Sequence, residues 1–292
     1  MGSKFKNLEL GRNAPLKVII IQENGRHEAS VNFRECFCIQ RALISLGYEC
    51  DVWGKGHENF DSPIDFNNYD ALINIENYNS GWVPDFSNLL AVKLLWVIDA
   101  HCAGEEVYLK EFERGKYNYM LHATRSFCNE DFKKWIPNSF DETIIKRLEI
   151  PKVHDIGFCG NYAGRKPLLD HLVSSIGLHT DIFVIGDKMV EAVNSYKIHF
   201  NCNISNDINY RSFETIGCGT LLMTNYNVQY EDLGFIDLEN CVFFQTIDEA
   251  KEKFRYLSNN PDQIKYITEK GYELSKEHTY TKRLQEVVEL IK

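Results

Sequence analysis

The sequence has no apolar run long enough to cross a bilayer; the longest, such as Val18–Ile21, have the length of a strand. It has no Cys-x-x-Cys pair, which removes the usual zinc frameworks. The nine cysteines, an odd number spread from Cys36 to Cys241, fit free and mostly buried thiols in a reducing compartment. No Gly-x-Gly-x-x-Gly follows a strand, which argues against a dinucleotide-dependent oxidoreductase. With seven prolines in 292 residues there is no Pro-rich linker or low-complexity tail. Basic charge is scarce as well: 32 Lys and Arg stand against 42 Asp and Glu, a formal net charge of −10. That balance argues against broad binding to phosphate backbones or anionic membranes, though a local basic pocket for one diphosphate stays open. No secretory leader is visible, and the start around Gly2 lacks the Ser or Thr of a myristoylation signal, so a cytoplasmic location is expected.

What is present is an ordinary globular composition, 44% hydrophobic and 25% charged, in a chain long enough for two compact domains. Leu16–Gln22 reads as a buried parallel strand, and helical periodicity runs from about Val31 to Leu46. Strand-like runs follow at Glu49–Trp53, Ala71–Ile75, Lys93–Ile98 and Tyr119–Ala123. A second series starts near residue 153, with strands expected at Val153–Cys159, Asp181–Gly186, Lys197–Asn201, Thr220–Thr224 and Cys241–Phe244. Helices are expected at Pro167–Ile176, at Met189–Tyr196, from about Tyr210, and over most of the chain beyond Ile247. Alternating strands and helices predict an α/β fold of doubly wound parallel sheets in two halves that meet near residues 137–152. In such folds ligands sit at the carboxyl ends of strands, so the loops after them are where chemistry belongs.

Three loops of the second half stand out. Gly157–Pro167 leaves a strand and opens a helix, and its glycines would let a phosphate approach free backbone N–H groups, with Arg165 or Lys166 adding charge. The alternative is a plain strand-to-helix turn with surface cations. Ile185–Lys188 also follows a strand; a planar base could lie against Gly186, or the loop could be an ordinary connection. In the third, Arg211 and Glu214 are three apart and share the first turns of one helix face. Spacing alone leaves two readings open there: a clamp for diphosphate and ribose, or an ordinary surface ion pair.

The C-terminal half resembles glycosyltransferases of the GT-B fold, in particular the spore-maturation-protein-like branch of the group-1 enzymes. The resemblance rests on Phe158–Asn161 with Arg165, on Val184–Asp187, on Arg211–Thr220 and on the tail His278–Arg283. Trp135–Asp141 is similar to a Pro-Asn-Gly-x-Asp motif, with Ser139 in place of Gly. It implies two Rossmann-like domains facing a cleft: an acceptor domain over residues 1–140, a donor domain over 141–277, and a helix at 278–292 returning to the first domain. It implies donor contacts from Gly160, Asn161, Arg165, Gly186, Asp187, Arg211 and Glu214, with Arg211 on the diphosphate and Glu214 on the ribose. The donor would be a nucleoside-diphosphate sugar, UDP-sugar favoured, acting as substrate rather than cofactor.

No Asp-x-Asp occurs, so the metal signature of the other large glycosyltransferase fold is missing, and no metal ion is expected to be required. Acceptor chemistry should come from the first half. Asp99 and His101 end a strand where a general base could sit; the bland alternative is a turn-capping Asp and a backbone-bonded His. Asn24, Arg26 and His27, beside Glu23, offer a polar rim for the acceptor, while His122 reads as a satisfied interior histidine. The acceptor itself is open among saccharide, lipid, protein and, as in phage enzymes, hydroxymethylated pyrimidines in DNA. A non-catalytic sugar-nucleotide-binding protein is the competing class, and a monomer or homodimer is expected.

Overall fold

The computed structural model describes residues 14–25, 27–78 and 80–292; Gly2 and Arg26 lie outside them. The first half builds a sheet from β1 (Lys17–Ile21), β2 (Glu49–Trp53), β3 (Ala71–Ile75), β4 (Val92–Val97), β5 (Tyr119–His122) and β6 (Lys133–Trp135). Its order is β2-β1-β3-β4-β5-β6, and every pairing is parallel. Both faces are covered, which is why the inner strands β1, β3 and β4 are nearly continuous apolar runs rather than alternating. Successive side chains point to opposite faces. Val18, Ile20, Leu94 and Trp96 therefore join one core, and Ile19, Ile21, Leu95 and Val97 the other. The helices here are α1 (Glu35–Ser45), the short α2 (Ala100–Ala103) and α3 (Glu105–Gly115).

The second half repeats the plan. It holds β7 (His154–Gly160), β8 (His179–Ile182), β9 (Tyr196–Phe200), β10 (Leu221–Asn225) and β11 (Val242–Phe244), in the parallel order β11-β10-β9-β7-β8. Around it run α4 (Lys166–Ile176), α5 (Asp187–Ser195), α6 (Tyr210–Gly217), α7 (Gln229–Asp232), α8 (Ile247–Ser258) and α9 (Pro261–Ser275). The last helix, α10 (Tyr280–Glu289), leaves this half. Tyr280, Leu284, Val287 and Val288 recur on one helical face and enter the first domain's core beside Ile39 and Leu43 of α1. The two chain crossings lie side by side: Phe140 and Thr279 form a parallel bridge, and the Tyr280 N–H donates to the Phe140 carbonyl at 2.9 Å.

The structure departs from the sequence reading in several places. Glu28–Phe33 is a 3-10 turn, and Arg34, at ψ 141°, separates it from α1, so the helix predicted from Val31 starts four residues later. The strand expected at Asp181–Gly186 is His179–Ile182 instead. Phe183 takes a left-handed φ of 57° there and turns the chain away from the sheet. α3 and the three-residue edge strand β6 were not expected. β6 reads Lys-Lys-Trp, and its buried Lys133 is held by Glu105 at 2.8 Å and Glu130 at 2.9 Å. All nine cysteines are free, and six of them are buried (Cys36, Cys38, Cys50, Cys159, Cys218 and Cys241). Among the described residues no helix is long and apolar enough to cross a membrane.

Because α10 completes another domain's core, Leu284→Ala should lower the unfolding free energy by roughly 2–5 kcal/mol in urea titrations. Gln285→Ala, on the exposed side of the same turn, should stay within about 0.5 kcal/mol of the parent.

Candidate active site

In each sheet the first strand is flanked on one side by the second and on the other by the third, so the direction of winding reverses beside β1 and beside β7. The carboxyl ends of these strands are the places where a crevice opens. β7 ends at Gly160, whose φ is 151°. A Cβ there would sit 2.8 Å from Nε of Arg211, so only glycine lets the Arg211 side chain lie against this backbone. Arg211, in the first turn of α6, donates from Nη1 to Asn201 Oδ1 at 2.8 Å and stands 5.3 Å over the Phe158 ring. It forms no ion pair with Glu214. Arg165 is buried at the start of α4 and donates from Nε to the Cys202 carbonyl at 2.6 Å.

Burial lowers the pKa of both guanidiniums, and Arg165 lowers that of Arg211 further. No described carboxylate forms an ion pair with either. Glu214 and Asp207 act on them only from a distance, so two neighbouring cations at the N-termini of two helices, neither in a direct ion pair, make a seat for an oxyanion such as a diphosphate. The seat is fixed from below. The Cys159 N–H donates to His199 Nε2 at 3.1 Å, so Nδ1 carries the proton toward Thr215 Oγ1 at 2.6 Å. The Thr215 hydroxyl in turn donates to the Arg211 carbonyl. Burial keeps His199 neutral, with its pKa down to about 3, so it ties β7 to α6 without adding a third positive charge.

One turn after Arg211, Glu214 faces a small 70 Å³ pocket shared with Phe33, Glu35, Tyr210 and Tyr280. Burial raises its carboxyl pKa to about 7; Arg211 opposes the rise and Glu35 adds to it. Asn161 accepts from the Ala163 N–H at 3.1 Å and shapes the loop above Gly160. Gly186 is buried at a φ of 65°, and a Cβ on it would meet the Ala29 carbonyl oxygen at 1.9 Å. The loop carrying Gly186 therefore packs against the first domain, while Asp187 and Lys188 open α5 in solvent.

Across the crevice lies a cleft of about 330 Å³ lined by Gln22, Arg34, Glu35, Glu76, Asp99 and Asp207, with Tyr210 at its edge. Asp99 does not cap the helix that follows, so its carboxylate is available to a ligand. Desolvation in the cleft raises its pKa; His101 lowers it, and Glu35 and Asp207 raise it. His101 is not bonded to backbone: Nε2 lies 3.9 Å from Asp207 of the second domain and Nδ1 is buried without a partner. Asn24 donates to the Gly56 carbonyl and accepts from the Gly25 N–H, while His27 is exposed at the start of the 3-10 turn. Arg26 lies outside the described residues. His122 is interior but not satisfied as expected: it is fully buried with neither ring nitrogen hydrogen-bonded, its pKa is pushed down to about 4 by burial and Lys133, and Nε2 stands 3.4 Å from Glu105.

Residues the sequence did not single out complete the cleft. Glu76, at a strained φ of 56°, accepts from the N–H groups of Ile98 and Asp99 and, at 2.7 Å, from the Tyr108 hydroxyl. It thereby shapes the turn that presents Asp99. Asn201 and Asp207 flank the loop after β9. Only Asn201 left a signal, as the first polar residue after a strand beside the point of reversal.

Residues 157–289 match the family model described as "Glycosyl transferase-like". No curated protein matches by sequence. Solved structures of low identity match across nearly the whole chain. An alpha-glucosyltransferase in complex with UDP and a 13-mer DNA containing a HMU base is 11% identical with a TM-score of 0.67, covering 95% of this chain and 100% of its own. The Anabaena protein HepE in complex with UDP and glucose is 9% identical with a TM-score of 0.64, covering 94% and 98%. T4 phage BGT in complex with UDP and Mn2+ is 12% identical with a TM-score of 0.63, covering 95% and 100%. The C-terminal half is thus glycosyl transferase-like by sequence, and the whole chain has the GT-B fold.

The raised Glu214 pKa has a signed consequence for stability. Between its ordinary 4.5 and about 7 the folded chain holds a proton that the unfolded chain has released, so this group lowers stability as pH rises through that window. Below 4.5 it contributes nothing, and above about 7 its penalty is constant. Glu214→Gln should therefore gain stability relative to the parent between about pH 4.5 and 7, read as the difference in denaturation midpoint across pH.

Proposed function

With the C-terminal half glycosyl transferase-like and the chain in the GT-B fold, we propose that the protein transfers a sugar from a nucleoside-diphosphate sugar, UDP-sugar favoured, to an acceptor hydroxyl. The observation that carries this reading is the pair of desolvated guanidiniums, Arg165 and Arg211, neither of which forms an ion pair with the carboxylates nearest them, Glu214 and Asp207. A diphosphate supplies the missing charge. In this reading Arg211 and Arg165 take the phosphate oxygens with the N–H groups around Gly160 and Asn161, and Glu214 accepts from the ribose hydroxyls. Gly186 and Asp187 border the base. Residues 1–140 serve the acceptor, 141–277 the donor, and 278–292 tie the two together.

The bond from the anomeric carbon to the diphosphate breaks as the acceptor oxygen bonds to that carbon. The leaving diphosphate gains negative charge, and the fixed guanidiniums meet it without reorganising. Asp99 and His101 stand where the acceptor hydroxyl would lie, and Asp99 takes its proton if the transfer inverts configuration. Among the described residues no group of three or more His, Cys, Asp or Glu gathers to hold a metal ion. The two arginines supply the charge a metal would bring, so we include metal independence in the reading. A specific observation favours a second acceptor class: a structural neighbour is an alpha-glucosyltransferase in complex with DNA.

A panel of uridine-, guanosine- and cytidine-linked sugars tests the proposal by thermal stabilisation and nucleotide release. One class should stabilise the protein by about 2.7 kcal/mol at 100 times its Kd and be turned over undiminished in EDTA. Arg211→Met should weaken that donor by about 10- to 100-fold, the worth of a charge-assisted bond. Affinity should rise with pH through about 7 as Glu214 becomes a carboxylate, and Glu214→Gln should flatten that rise. If no sugar nucleotide binds, the function is wrong; if one binds without release or transfer, the protein is a binding module.

A further inference from the structure

Resting on that reading, we propose that the acceptor is an uncharged, polyhydroxylated molecule, a neutral saccharide, and that the cleft rejects anionic acceptors, nucleic acid included. The argument begins with how charge is divided across the crevice. The donor side carries Arg165 and Arg211, and a bound diphosphate consumes both. What remains around the 330 Å³ cleft is Glu35, Glu76, Asp99 and Asp207 against a single cation, Arg34. Arg34 is already engaged: Nε donates to the Glu23 carbonyl at 3.2 Å, and Nη1 lies 3.7 Å from Glu35.

The same bias extends outward. In the loops that leave β1 to β5, acidic residues clearly outnumber basic ones. The rim cation Arg125 is paired with Asp232. A nucleic-acid acceptor needs several lysines or arginines on its phosphates, and this rim does not provide them. A saccharide needs the opposite. Ionised carboxylates accept hydrogen bonds only, and pairs of sugar hydroxyls are matched donors for them. Asp99 keeps its oxygens free for that purpose, and Asp207 spends one on Ser205 at 2.7 Å and keeps the other toward His101. Glu76 spends one oxygen on the turn that carries Asp99 and the other on the Tyr108 hydroxyl, so it contributes field rather than contacts. Tyr210 adds an aromatic edge to the cleft.

The test uses the full chain with UDP-glucose and three kinds of acceptor: methyl hexosides, the matching methyl uronides, and duplex DNA bearing hydroxymethylpyrimidines. Transfer to at least one neutral hexoside is expected, with kcat/KM at least about 10-fold above its uronide, roughly the effect of one close like charge. Raising salt from about 50 mM to about 500 mM should shrink that gap by screening, which a purely steric preference would not do. Glu35→Gln should narrow it at low salt; if that variant fails to fold, Asp207→Asn replaces it. Faster transfer to DNA or to a uronide overturns the proposal, as does a gap indifferent to salt. UDP-glucose binding and hydrolysis, measured in the same samples, separate the two levels. If the donor is used and no neutral saccharide accepts, this inference fails alone. If no sugar nucleotide in the donor panel binds, the parent reading fails and takes it along.

Discussion

Two neighbouring guanidiniums held without a direct ion pair set the terms for the rest of this molecule. Burying a cation costs free energy, and burying two as neighbours costs more, so the surrounding fold must hold them in place. It does so with groups that bind geometry rather than charge: the Cys202 carbonyl for Arg165, and the Asn201 amide and the Phe158 ring face for Arg211. Gly160 makes room for the second arginine, and a neutral His199 ties strand to helix beneath it. Each of these contacts would be a poor choice for stability alone. Together they describe a site whose missing partner is an anion.

The opposite wall is built by the opposite sign. Glu76 distorts its own backbone to hold the turn that carries Asp99, and Asp207 reaches from the second domain toward His101 of the first. The cleft is therefore a joint product of both domains, and the contact of Gly186 with Ala29 holds its walls together. Separation of charge across a few residues gives donor and acceptor distinct seats, so neither competes for the other's place.

Much of this was legible in the sequence, and the remainder was not for identifiable reasons. The buried strands announced themselves through runs such as Val18–Ile21 and Ala71–Ile75, because a parallel sheet covered on both faces tolerates nothing else. Gly160 and Arg165 could be singled out from a Gly-rich loop between a strand and a helix, and Arg211 from its spacing with Glu214 and the resemblance, although the reversal of winding beside β7 is visible only in the structure. β8 was misjudged because the apolar run Ile182–Ile185 continues past the strand: after Ile182 the left-handed Phe183 leaves the sheet for solvent, while Val184 packs on the same half's core. Glu76 and Asp207 left no mark at all. Their roles come from meeting residues some twenty to a hundred positions away, and single-sequence patterns hold no record of such encounters.

The return of α10 to the first domain also orders events in time. Its Tyr280, Leu284 and Val287 are as much part of the first sheet's covering as α1 is. A ribosome delivers the first domain's strands early, yet the helix that seals them is translated after the entire second domain. Until then one face of that sheet stays partly bare, exposed to chaperones and to premature association. The second domain can fold first on the growing chain, and the first closes last, when α10 swings back across the Phe140–Thr279 bridge.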